Sequence, residues 1–307
     1  MKRLFILIAT AIAIDGFAEG KRTISYDGNE VREVNVTAFN AIETSSAVNI
    51  LYTPREGEPQ VEIHAPADAM PHIDVHVTAD NVLTATFVPS VKEEKQEWRK
   101  KVAIHVAAPP VTALKATSAG DIILQGDLST GRPVHLTTHS SGNIVARTIR
   151  CKELHTESFS SGEVIVRTAS CEEDASCQAR SAGNIILKGL ECNSLQAQSH
   201  SSGDIHIDHL SCQDVETQTQ SSGDILLSGT CQQASFNASS NGRIYAGKLQ
   251  ATAVKASASS SGRIECQAIH SLEAGTSSHG EITYKGNPAK INTNGKNISP
   301  DSWMEGY

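Results

Sequence analysis

Aromatic residues are scarce, at 4% of 307 residues, although apolar residues of all kinds reach 39%. A core of ordinary size therefore has to be built from Ile, Leu, Val, Ala and Thr rather than from large rings. Basic blocks are also missing, and the formal net charge is −8. That balance removes the electrostatic footprint of a nucleic-acid binder. Past the N-terminus no apolar run approaches the roughly 20 residues of a transmembrane helix, so no membrane span is expected in the mature chain. Proline is absent from Val134 to Asn287, as expected where nearly every backbone N–H is committed to a hydrogen-bonded ladder. There is no GxSxG elbow for a serine nucleophile and no CxxC pair for a structural metal.

What is present begins with "MKRLFILIATAIAIDGFAEG", in which Lys2 and Arg3 precede an apolar run from Leu4 to Ile14, followed by the small residues Gly16 and Ala18. This is the layout of a secretory signal over residues 1–18. The run is too short for a membrane anchor, and no cysteine follows it to accept a lipid. Cleavage after Ala18 takes away Lys2, Arg3 and Asp15 and moves the net charge from −8 to −9. The expected product is an exported, soluble protein of the periplasm, the cell surface or the medium.

The dominant feature is a repeat. SAGDI at Ser118 returns as SSGNI at Ser140, SSGEV at Ser160, SAGNI at Ser181, SSGDI at Ser201 and Ser221, SNGRI at Ser240, SSGRI at Ser260 and SHGEI at Ser278. The corner glycines Gly120, Gly142, Gly162, Gly183, Gly203, Gly223, Gly242, Gly262 and Gly280 are spaced by 22, 20, 21, 20, 20, 19, 20 and 18 residues. After each glycine apolar residues alternate, as at Ile144 and Ala146 or Ile205 and Ile207, which marks strands with one buried face. Further apolar positions follow at Ile149, Leu190, Leu210, Leu249 and Ile269, and again near Leu154, Leu195, Val215 and Val254. Ser, Thr, Gly and Asn fill the intervals and disfavour helices. The period predicts a single-stranded β-solenoid, a parallel β-helix of about nine regular coils of about 20 residues, in which each residue stacks on its equivalent about 4.8 Å away. Glycine is expected to supply a corner that a residue with Cβ resists.

Four segments are expected. Residues 1–18 form the signal, 19–110 a β-rich N-terminal cap with irregular first coils, 111–285 the regular solenoid, and 286–307 a C-terminal cap. "SSAVNI" at Ser45 looks like a degenerate corner, and "VKEEKQEWRKK" from Val91 to Lys101 reads as a solvated hairpin loop around Trp98. Solenoid ends need such caps because an open terminal coil invites edge pairing.

The entry strands "AFNAIETSSAVNILYT", the "SSGDI" and "SSGNI" corners and the closing "ITYKGNPAKI" together resemble the bacterial family of auto-transporter adhesins with the head GIN domain. The resemblance spans nearly the whole chain after the signal. It implies a β-solenoid exported in envelope-bearing bacteria, at the cell surface or in the periplasm, and it supplies no catalytic residues. The cysteines depart from the family pattern.

Five of the seven cysteines, Cys151, Cys171, Cys192, Cys212 and Cys231, lie one period apart; Cys177 and Cys266 fall off that line. A thiolate metal row or a chain of disulfides is the chemical reading. Side chains stacked in one direction, and sharing the parity of the core positions, instead read as buried thiols acting as small hydrophobes. Asp204 and Asp224 are adjacent carboxylates in the row that follows the glycines, a weak calcium candidate, with turn chemistry and compensation by Arg243 as the plainer reading. "HIDHL" sets His206 and His209 three apart, read as solvated, and the sequons at Asn35, Asn237 and Asn297 matter only in a glycosylating host. No cofactor is implied. The functional expectation is a non-catalytic, adhesin-like binding or scaffolding module that presents ladder surfaces to a glycan or an envelope protein. The alternative is a polysaccharide lyase or hydrolase, which needs two positioned carboxylates.

Overall fold

The computed structural model describes residues 29–88, 98 and 101–301. The signal segment 1–18 lies outside them. The chain is all-β, with a solenoid of about nine turns, and among the described residues no helix is long and apolar enough to cross a membrane.

Each coil has a first wall before its SxG corner, a second wall after it, and a third wall beyond a shallow bend. One coil is traced by Leu154–Ser160 and Glu163–Cys171, and the next by Ala175–Ser181, Asn184–Leu187 and Leu190–Glu191. Pairing between coils is parallel and in register. Leu154, Ala175, Leu195, Val215 and Ala234 stack along the first wall. Ile144, Val164, Ile185, Ile205, Ile225, Ile244, Ile264 and Ile282 stack along the second. Ile149, Ala169, Leu190 and Leu210 stack along the third. All of these are buried, and each large aliphatic contributes about 1.5–3 kcal/mol by leaving water. A core of stacked Ile and Leu is thus what the low aromatic content imposed.

The corner divides its demands between two residues. The left-handed conformation belongs to the first serine of the motif, with φ from 57° to 66° at all nine corners from Ser118 to Ser278. None of the nine glycines has positive φ. Glycine is needed for close approach instead: a Cβ on Gly262 would lie 2.3 Å from the Ala238 carbonyl oxygen, and one on Gly280 2.2 Å from that of Ala258. Each glycine from Gly142 onward sits over the residue that stands four before the preceding corner glycine, and those residues are all small: Ala116, Thr138, Ser158, Ala179, Ser199, Thr219, Ala238 and Ala258. Three of the four that carry a hydroxyl close the corner from inside, while Thr138 donates to Ser158 Oγ at 2.9 Å. Ser158 Oγ donates to the Gly162 carbonyl at 2.6 Å and Thr219 Oγ1 to that of Gly223 at 2.6 Å, while Ser199 Oγ donates to Gly203.

The "SSAVNI" segment is a corner in fact. Ala41–Thr44 and Asn49–Pro54 pair in parallel with Ala113–Ala116 and Asp121–Leu124, Ser46 and Ala47 both have positive φ, and Val48 stands where later coils have glycine. Beyond this coil the pairing changes. Val82–Phe87 and Ala103–Ala108 still stack in parallel on it, but Glu30–Val34, Gln60–Ala65 and Ile73–Val77 add antiparallel partners. The switch in direction ends the parallel edge. Most of the Val91–Lys101 run lies outside the described residues, but Trp98 is buried, not solvated: its Nε1 donates to Asp68 Oδ2 at 2.9 Å and its ring stacks on His72.

One more expectation needs correcting. Ile269 is 49% exposed, because the register shifts between Ala246 and Gln250 bring Ala268 to the inward position opposite Ala251. The tail keeps the coil geometry for a while: Lys290–Asn294 pairs in parallel with Ser271–Gly275, and Ile298–Pro300 with Ile282–Tyr284.

Candidate functional site

Every second residue of the second wall points outward, which gives three outward rows along the solenoid axis. The first row follows the corner glycines: Asp121, Asn143, Glu163, Asn184, Asp204, Asp224, Arg243, Arg263 and Glu281. Its members bind one another up and down the ladder. Asn143 Nδ2 donates to Asp121 Oδ1 at 2.7 Å, the Asp224 amide to Asp204 Oδ1 at 3.0 Å, Arg243 Nε to Asp224 Oδ1 at 3.0 Å, and Arg263 to Glu281 Oε2 at 2.7 Å. Burial is the main reason the Asp204 carboxyl is held above the usual carboxylate range, and the charge of Asp224 adds to it.

Asp204 and Asp224 are therefore neighbours, but one accepts a backbone amide and the other is clamped by a guanidinium. Calcium asks for 6–8 oxygen ligands, and an arginine on the next rung opposes any cation. Among the described residues no three His, Cys, Asp or Glu side chains converge to hold a metal ion.

The middle row is the one sequence reasoning missed. Leu51, Ile123, Val145, Ile165, Ile186, His206, Leu226 and Tyr245 occupy consecutive rungs. They face outward yet are half-buried or buried. The signal lies in the motifs DIIL, NIVA, EVIV, NIIL and DILL, where the residue between two core positions is itself aliphatic. The stripe extends over about 34 Å at ~4.8 Å per rung.

The third row is Arg147, Arg167, Lys188, Asp208 and Ser228. Asp208 gathers this edge, accepting from Lys188 Nζ at 2.9 Å and Ser228 Oγ at 3.2 Å, and meeting His206 Nε2 at 2.9 Å. Burial alone would raise the Asp208 carboxyl, but the Lys188 and His206 interactions outweigh it and hold it low. His206 is thus a tethered part of the surface and not a free solvated ring, whereas His209 sits exposed at the bend with φ 47°.

Between the rows lies an open, shallow depression of about 250 Å³ lined by Asn184, Ile185, Ile186, Asp204, His206, Asp224 and Leu226. It is a furrow whose floor is Ile186, His206 and Leu226, with an acid and amide rim of Asn184, Asp204 and Asp224 on one side and the Lys188, Asp208 and Ser228 cluster flanking it on the other.

The five cysteines spaced one period apart lie elsewhere, at the far end of the third wall. Cys151 is paired with Cys171 in register, their sulfurs 4.0 Å apart. All seven thiols are free, and all are buried except the half-buried Cys212. Cys177 belongs to the first-wall core beside Thr156 and Ala197, and Cys266 to the second-wall core. Burial pushes Cys177 up to about 11 and Cys266 up to about 12.

No curated protein matches the chain significantly. Among solved structures, a "putative adhesin" from Parabacteroides merdae is 16% identical with a TM-score of 0.53, covering 90% of this chain and 97% of its own. A "putative adhesin" from Parabacteroides distasonis is 17% identical with a TM-score of 0.48, covering 90% and 98%. A "putative lipid binding protein" from the same species is 20% identical with a TM-score of 0.49, again covering 90% and 98%. At these identities the likeness concerns the fold alone. A family model matches residues 38–176 and again 170–288, the same solenoid whose corners, walls and rows are described above, and the chain belongs to the family described as "Putative auto-transporter adhesin, head GIN domain".

Proposed function

We propose that this chain is a non-catalytic, adhesin-like binding module of the bacterial cell envelope, exported to the surface, and that the second-wall furrow is its ligand face. The proposed ligand is an elongated glycan. The observation that carries this reading is the unbroken register of a mostly apolar row, with His206 as its one polar rung between Val145 and Leu226, flanked by two polar rows over successive rungs. A surface that repeats the same chemistry at every rung suits a ligand that also repeats. The aliphatic floor can receive the apolar faces of sugar rings, and the rims offer carboxylates, amides, ammonium and guanidinium groups to hydroxyls. Each rung contributes little, and avidity comes from their number. Family membership supports a surface or extracellular location.

The geometry favours binding over cleavage. Glycosidases place two carboxyl groups on either side of the scissile bond, about 5–9.5 Å apart. Asp204 and Asp224 instead project from one row on the same side and are engaged by an amide and by Arg243.

The test is a binding screen of the purified protein against envelope polysaccharides, comparing Ile186→Asp and Leu226→Asp with Gln196→Glu on the exposed first wall. The furrow variants should lose at least tenfold in apparent affinity and the control should bind as the parent does. Equal binding by all three would reject the furrow. Capture of surface proteins alone would reject the glycan, and release of new sugar ends would establish the lyase or hydrolase.

A further inference from the structure

The five stacked thiols have no part in the furrow, and their geometry is specific. Cys151 faces Cys171 directly, with the sulfurs 4.0 Å apart. The row continues one residue beyond the pairs Ser170 with Glu191, Glu191 with Ser211, and Ser211 with Thr230, so that Cys171, Cys192, Cys212 and Cys231 follow one another on adjacent rungs. It ends at Ala251, opposite Cys231. Rungs about 4.8 Å apart fall inside the 4.4–6.8 Å range of Cα separations found in disulfides. Only Cys212 is half-exposed; the other four are buried.

We propose that the row is an oxidisable ladder in which a disulfide made at Cys212 is passed inward, rung by rung, to the buried Cys151–Cys171 pair. The oxidant is a small-molecule disulfide. The Cys212 thiolate attacks one of its sulfurs and expels a thiolate, leaving a mixed disulfide on Cys212. Cys192 then attacks the Cys212 sulfur and expels the second thiolate. The sum is two cysteine thiols and one external disulfide converted to a Cys192–Cys212 disulfide and two external thiols. Attack by Cys171 on Cys192 gives Cys171–Cys192 and frees Cys212. Attack by Cys151 on Cys171 gives Cys151–Cys171 and frees Cys192, so the outer pair can be oxidised a second time. Every inward step exchanges one thiol for another with no net oxidation, and thiolate attack on a neighbouring disulfide is the ordinary route for such reactions.

The sulfur–sulfur contacts match this pairing, while the raised Cys171 and Cys192 thiols keep their attacking thiolates scarce and make the inward steps slow. A hydrogen bond with Cys151, and then burial, pushes Cys171 up, while the same bond holds Cys151 down. A hydrogen bond with Cys212, and then burial, pushes Cys192 up. Cys231 is pushed up to about 12 mainly by burial, and five thiols on one line leave one over when two pairs have formed. Neighbouring side chains leave the backbone in the same direction, so each bond closes by one sulfur swinging to another rotamer.

The experiment uses the fully reduced protein, glutathione disulfide as oxidant, and acid quenching followed by alkylation and peptide mass mapping over time. Glutathione should appear first and transiently on Cys212, then a Cys192–Cys212 disulfide, then Cys151–Cys171, with Cys177, Cys231 and Cys266 still alkylatable after denaturation. Cys212→Ser should slow Cys151–Cys171 formation at least tenfold, and Cys231→Ser should leave it unchanged, with far-UV circular dichroism showing both variants folded. Seven unreacted thiols, a dominant Cys212–Cys231 bond, glutathione retained on Cys212, or Cys151–Cys171 closing at the parental rate in Cys212→Ser would each overturn the proposal.

Discussion

At the scale of single residues the corner divides its demands between two positions. Serine at the first motif position carries the left-handed backbone, which costs an L-residue about 1–2 kcal/mol, and the glycine two places later admits the carbonyl of the coil beside it. These roles predict opposite responses. Ser260→Gly should hold or raise stability by up to about 1 kcal/mol. Gly262→Ala should lose about 2–3 kcal/mol, since its Cβ meets backbone at 2.3 Å and backbone cannot swing aside. Urea midpoints of the two variants check both signs. The buried hydroxyls make a third case: Thr219→Val keeps the shape but removes the donor to the Gly223 carbonyl, and should cost about 1 kcal/mol by the same measurement.

At the scale of the element, the antiparallel pair Gln60–Ala65 and Ala103–Ala108 places His105 opposite Glu62 and sets its ring 4.1 Å from that of His64. Burial first, and then the proximity of His64, lower the His105 pKa to about 4. An unfolded histidine titrates near 6.5, so between pH 6.5 and 4 the unfolded chain binds more protons than the folded one. The stability linked to neutral His105 is then complete above pH 6.5 and is lost as the pH falls toward 4. Thermal midpoints across that window should fall less steeply in His105→Gln than in the parent. The parallel walls were legible from the sequence because Ile and Leu alternate with polar residues at a fixed period. This antiparallel cap was not, since strands such as "QVEIHA" show their faces but not their partners. The furrow floor escaped for a related reason: in "NIIL" and "DILL" an outward aliphatic sits between two inward ones and hides the alternation that would have revealed it. Ile269 shows the converse, an apolar residue in the expected place that a shift of register turns to solvent.

At the scale of the whole molecule, stability is close to one-dimensional, because each coil touches mainly the coils above and below it. A break in the middle therefore uncouples two halves, and a break at the end removes only a terminal rung. Gln198 lies mid-strand with coils on both sides, between Gln178 and Gln218, whereas Asn292 lies in the exposed terminal strand of the first wall, paired only with Ser271–Gly275. Proline at either site removes one ladder donor. At Gln198 it also leaves a carbonyl of the neighbouring coil unpaired inside the sheet, so Gln198→Pro should cost about 3 kcal/mol or more and Asn292→Pro under about 1 kcal/mol. Hydrogen exchange read along the chain should show the difference in extent as well as size. Gln198→Pro should lower protection in the coils on both sides of it, while Asn292→Pro should leave every amide before Ser271 as slow as in the parent. Uniform loss of protection in both variants would mean that the solenoid unfolds as one unit whatever the site of damage.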